Sequence, residues 1–166
     1  MDQSEGLFEL SLINAEKSGY SFEDFYLWGT EKGIPAEVLT RLKSVWNLTK
    51  KIAGEVISIG KVIVSSILDF LKAHPKLTAG ILVGAAITVL ISSIPFLGPI
   101  LGPVSAALVP VYGAGVGAAI EGGERIADAT NPVVAAVALA RSFFDLLISI
   151  FQAVSGYFRN DGGHEA

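Results

Sequence analysis

The sequence contains no cysteine, and only 17% of its 166 residues are charged, against about 25% in an ordinary soluble domain. Without cysteine there are no disulfides, no thiolate nucleophile and no zinc–thiolate site, and the redox compartment is left open. The two histidines, His74 and His164, stand 90 residues apart, so no metal-ligating spacing exists. A formal charge of −4 argues against a nucleic-acid binder. Asp2, Glu5, Glu9 and Glu16 all precede the first lysine, Lys17. A secretory signal needs a positive start followed by an unbroken apolar run, so the N-terminal segment is expected in the cytoplasm or exported by other means. The glycine-rich GAGVGAAIEGG (113–123) lacks the Lys-Ser/Thr of a phosphate loop and misses the dinucleotide spacing. No catalytic residue, cofactor or metal ligand is assigned, and the chain is expected not to be an enzyme.

What is present is apolar. Half of the chain is hydrophobic (51%), the mean hydropathy is +0.56, and glycine is abundant at 18 residues. Charge is distributed in blocks. Residues 1–37 carry a net −6, residues 38–76 a net +5, and residues 121–166 a net −3. Between them, Leu77 to Ile120 is a run of 44 residues without a charge.

This patterning predicts an all-α helical membrane protein in four segments. Residues 1–44 form a small acidic helical domain of two or three short helices. Ser21 before Glu23 and Asp24 is a start signal, Gly33 a stop, and Pro35 opens the next helix. Phe22, Phe25, Tyr26, Trp28, Leu39, Leu42 and Trp46 are expected to cluster between these helices, as a miniature core or as a docking surface for a protein partner. Residues 45–76 read as one amphipathic helix with a polar stripe through Lys51, Glu55, Ser58, Ser65, Asp69, Lys72 and Lys76. Lys61, Lys72 and Lys76 are placed at the anionic headgroup level of a bilayer.

Residues 77–120 form the uncharged membrane hairpin. Its first arm, 77–94, is about 27 Å long as a helix. Its nine large aliphatic residues favour insertion by about 3 to 5 kcal/mol on the translocon scale. Pro95, Pro99 and Pro103 mark a hairpin tip that no regular helix accommodates. Gly80 and Gly84 on one arm, with Gly113, Ala114, Gly117 and Ala118 on the other, form a ladder of small residues at four-residue spacing. Such ladders let membrane helices approach closely, either closing the hairpin on itself or joining copies into a homo-oligomer.

Residues 121–166 supply an acidic link, a helix from Pro132 to about Phe158 started by Asn131, and a short polar tail. Arg141 and Asp145, four apart, share a face of that helix. If the helix spans a bilayer, the pair lines a pore or the interior of a helix bundle.

Amphipathic helices around a long uncharged hairpin (77–120, flanked by 45–74 and 132–158) resemble the pore-forming domains of colicins, in which a helical bundle hides an apolar hairpin and opens on a membrane. The Gly80/Gly84 and Gly113/Gly117 ladder is similar to glycine-zipper segments of small membrane-permeabilising toxins. The resemblance is architectural and carries over no functional residue. It implies a membrane-inserting, self-associating protein that permeabilises a bilayer. A structural or scaffolding membrane protein without a pore (a virion, vesicle or complex subunit) fits the same pattern, its N-terminal domain being the working surface. A soluble module that buries the hairpin permanently is the third reading. Lys61, Lys72 and Lys76 before the hairpin orient its entry side, and with it the N-terminal domain, toward the cytoplasm.

Overall fold

The computed structural model describes residues 1–112 and 132–162. It is mostly helical, so the all-α expectation holds. Helix α1 (Gln3–Lys17) starts where the Asp2 carboxylate accepts a hydrogen bond from the Glu5 amide at 2.8 Å. Helix α2 (Phe22–Glu31) is capped by Ser21 and ends before Gly33, whose φ of +86° only glycine adopts freely. Helix α3 (Ala36–Trp46) follows directly from Pro35.

The expected single helix over 45–76 is not what forms. Helix α3 stops at Trp46, and two short strands follow, β1 (Lys50–Ile52) and β2 (Glu55–Ile57), before α4 (Ile59–Ala73). The strands are antiparallel, with Lys51 opposite Val56. Ala53 and Gly54 both take positive φ, +53° and +85°, which is the backbone of a two-residue hairpin turn matched to strand twist. The hairpin is fastened to α1 by two hydrogen bonds. Ser11 Oγ donates to Glu55 at 2.7 Å, and the Ser58 amide donates to Asn14 Oδ1 at 2.9 Å. Gly60 then allows α4 to begin against the end of α3. A Cβ there would lie 1.5 Å from the Val45 carbonyl oxygen.

Helix α5 (Ala79–Ser93) is followed by a 3-10 turn (Pro95–Leu97) and α6 (Gly98–Tyr112), and the two helices pack on each other as a helical hairpin. Here too the expectation needs correction. The tip is only the turn around residues 94–97, and Pro99 and Pro103 lie inside α6. Pro99 falls in the first turn, where no amide donor is needed. Pro95, Pro99 and Pro103 are all exposed, while Leu97, Leu101, Val104 and Leu108 on the opposite side are buried. A proline on the outer face leaves its orphaned carbonyl open to solvent, and α6 continues through it.

The expected long helix from Pro132 is three helices: α7 (Pro132–Phe143), α8 (Asp145–Ala153) and α9 (Ser155–Gly162). Helices α7 and α8 are bent 58° apart. The bend falls at Phe144, which is 1% exposed and packs its ring 5.3 Å from that of Phe70. Turning there lets Ala136 and Ala140 before the bend, and Leu147 and Ile150 after it, all face the core.

A single set of buried residues runs through α1–α8 and both strands. Helix α1 packs against α4 and α8, and α3 packs against α4 and α6. The expected aromatic cluster exists in part. Phe22 stacks on Phe25 at 5.5 Å and meets the edge of Trp46 at 5.5 Å, with Phe25, Leu39 and Leu42 buried behind them.

Candidate functional site

The centre of the bundle is the uncharged helix α5. Ten of its fifteen residues are buried: Gly80 and the unbroken run Leu82–Leu90. A surface helix buries one stripe, whereas one hydrophobic all round must be covered on every side. Helices α4, α6 and α7 supply that cover, α7 most extensively. Its polar atoms are satisfied locally, as Thr88 Oγ1 donates back to the Gly84 carbonyl at 2.8 Å. The small residues of α5 are used within the chain. Gly80, Gly84, Ala85 and Ala86 are buried, as are Ala136 and Ala140 of the neighbouring α7. The other half of the ladder, Gly113, Ala114, Gly117 and Ala118, lies outside the described residues.

Three sets of contacts join the elements around α5, and the sequence assigns none of them. The first is a clamp on the hairpin turn. Phe96 stacks on Phe158 at 4.0 Å with the rings 6° from parallel, and Phe151 meets Phe96 edge-on at 5.9 Å. Gln152 Nε2 donates to the Ser93 carbonyl at 2.9 Å, satisfying an acceptor in the last turn of α5 that its own helix leaves free. The second is the aromatic contact of Phe70 in α4 with Phe143 and Phe144, both at 5.3 Å, extended by His74 at 5.0 Å. The third ties α1 to α4 through the ion pair between Lys17 and Asp69. The Lys17 side chain is only 7% exposed and that of Asp69 36%. Burial works to lower the Lys17 pKa. The hydrogen bond and charge of Asp69, with Tyr20 and Glu16 nearby, outweigh it and hold the ammonium above its ordinary 10.5. A lysine in an otherwise acidic helix and an acid in a stripe of lysines were the available signal, but their pairing is a tertiary fact.

The remaining candidates fall on the surface. Arg141 and Asp145 are exposed and flank the bend, so in this conformation they line no interior path. Lys61 is half-buried, donates to the Ser18 carbonyl at 3.1 Å and stands 5.5 Å from the Trp46 ring. Lys72 and Lys76 are exposed near the start of the hairpin, with Lys72 5.8 Å from the Trp28 ring. Among the described residues, no three of the side chains that bind metals come together.

Length bears on what α5 can do. Its 15 residues span about 22 Å, short of the ~30 Å bilayer core. No single described helix is long and apolar enough to cross a membrane, although α7 and α8 together, bent as they are, reach that length and hydropathy. Compared with protein-family models, with curated proteins and with solved structures, the chain matches none.

Proposed function

We propose that the protein is a membrane-inserting, self-associating helical protein that stores an uncharged hairpin inside its own fold and permeabilises a lipid bilayer when the hairpin is released. The observation that carries this reading is the burial of α5, a helix with no charge and ten of fifteen residues covered by three neighbouring helices. An apolar helix at the centre of a core is ordinary. The uncharged run that contains it is 44 residues long, about twice what one span requires. The clamp residues Phe96, Gln152 and Phe158 fix the turn at the end of α5, where a hairpin would lead into the membrane. Insertion extends the first arm to residues 77–94, about 27 Å, by continuing the helix through Leu77–Thr78 and Ile94. Released small residues at Gly80 and Gly84 are then free to pair with another copy. The protein would be an integral membrane protein after insertion, with residues 1–44 on the cytoplasmic side. The test is leakage of a small dye from anionic liposomes with co-flotation measured on the same sample. Leakage rising steeply with protein-to-lipid ratio is expected, and flotation with the dye fully retained overturns the permeabilising role.

A second reading, a scaffolding membrane protein that binds a partner, is favoured by one feature of the N-terminal helices. Phe8 is 63% exposed and Leu27 62% exposed, large apolar side chains facing outward on α1 and α2. Because α1 and α3 pack against α4, α6 and α8, deleting residues 1–44 would damage the bundle itself. The discriminating variant is therefore Phe8→Ser with Leu27→Ser, which abolishes function under this reading and leaves leakage intact under the first.

A further inference from the structure

The connection between α4 and α5 borders an open cavity of about 440 Å³, within the range of small-ligand sites. Three of the ten residues lining it are lysines, Lys32, Lys72 and Lys76, and none is acidic. In a chain of net charge −4 that is a local reversal of sign. Trp28 lies close to two of these cations, its ring 6.0 Å from Lys32 Nζ and 5.8 Å from Lys72 Nζ. The N-terminus of α5 opens on the same space. Thr78 lines the cavity and makes no side-chain cap bond, so the positive end of the helix adds to the field of the lysines. The deeper wall is apolar, with Leu71 and Leu82 both buried.

Three cations, a helix N-terminus, a tryptophan face and an apolar wall select a particular chemistry. A free inorganic anion would satisfy the lysines and leave the half-buried Trp28 and Leu77 uncovered. An uncharged lipid would cover the wall and leave the cations unpaired. The geometry points to a binding site for the phosphate headgroup of an anionic phospholipid, with the phosphate between Lys32, Lys72 and Lys76 and the glycerol and first methylenes against Trp28 and Leu77. This deepens the membrane reading above and rests on it for its purpose. Occupancy would load the Pro75–Thr78 connection, which holds Leu77 and Thr78, the two residues that become helical when α5 lengthens.

The test uses dihexanoyl phosphatidylglycerol below its micelle concentration, with the full chain in solution and no bilayer present. The chain has two tryptophans, so the indole N–H region of a proton–nitrogen spectrum holds two resonances, assigned with Trp46→Phe. The Trp28 resonance is expected to move and saturate while that of Trp46 stays. Lys32→Gln, Lys72→Gln and Lys76→Gln each weaken binding about fivefold, and the triple variant about a hundredfold. All three side chains are exposed, so the variants keep the wild-type thermal melt. Dihexanoyl phosphatidylcholine moving Trp28 as tightly, unchanged binding in the triple variant, or inorganic phosphate saturating the site at the same concentration would each overturn the assignment. Binding without liposome leakage removes the permeabilising function and leaves the pocket standing. Leakage without binding removes the pocket alone.

Discussion

The Lys17–Asp69 pair gives a perturbation whose size follows from its surroundings. Asp69→Asn removes one charge with almost no change of shape, leaving the Lys17 ammonium, 7% exposed, without its counterion. Breaking a fully buried pair costs about 3–5 kcal/mol, whereas an exposed pair is worth at most about 1 kcal/mol. Here one partner is buried and the other 36% exposed, which places the loss between these limits at about 2 kcal/mol. That is about a thirtyfold increase in the open fraction of the bundle. Urea unfolding followed by circular dichroism reads the first quantity as a lower midpoint at unchanged slope. The initial rate of dye leakage reads the second. If undocking of α1 from α4 precedes release of α5, leakage from anionic liposomes accelerates by the same factor. The double variant Lys17→Met with Asp69→Leu replaces the pair by packed apolar groups and is expected to recover most of the stability. A midpoint unchanged within the equivalent of about 0.5 kcal/mol would refute the reasoning, since that is what a change at a solvated surface site does.

Other outcomes follow from particular residues. The folded-state pKa of Lys17 stands above its unfolded value, so its contribution is complete below about pH 10 and declines as pH rises through the folded value. An alkaline unfolding series should show that decline, and Lys17→Met should flatten it. Gly60→Ala places a Cβ 1.5 Å from a backbone oxygen that cannot rotate away, and a loss of about 3 kcal/mol or more is expected in the same urea assay. Pro103→Ala restores a donor in the interior of α6 and is expected to stabilise by about 2 kcal/mol, the helix preference of alanine less the unfolded-state entropy it regains. Pro99→Ala, in the first turn, should change stability by less than about 0.5 kcal/mol. Equal effects at the two prolines would mean that α6 does not start at Gly98.

Local chemistry made part of this architecture legible. The Ser21 cap, the Gly33 stop, the Pro35 start and the first arm of the hairpin all sit within a few residues of where the sequence places them. The strands at 50–57 were hidden by their brevity. Lys51, Glu55 and Ser58 keep a helical four-and-three spacing, and only the Ala53-Gly54 turn and the β-branched residues around it argue otherwise. The bend at Phe144 has no proline or glycine to announce it. It exists because Phe144 is drawn against Phe70, seventy-four residues away in the chain. The three prolines predict a break in the helix from Pro95 to Pro103, yet Pro99 and Pro103 lie inside α6, because four-residue spacing also puts them on one face and an exposed face tolerates them. The same reason separates the candidate residues from the contacts that close the bundle. Charge and small size are visible in a sequence, whereas the Phe96–Phe158 stack and the Gln152–Ser93 hydrogen bond join elements about sixty residues apart.

The central claim is that α5 leaves the bundle and enters lipid. Because the chain has no cysteine, Ile91→Cys provides a unique attachment point on α5 at a half-buried position close to the hairpin turn. A bimane label there, with nitroxide-bearing phospholipid in anionic liposomes, reports directly whether that position reaches hydrocarbon. The account predicts strong quenching by lipids labelled deep in the acyl chain, developing at the same rate as dye leakage. Leakage in full while the bimane stays unquenched would contradict it, since the bilayer would then have been breached with α5 still inside the fold.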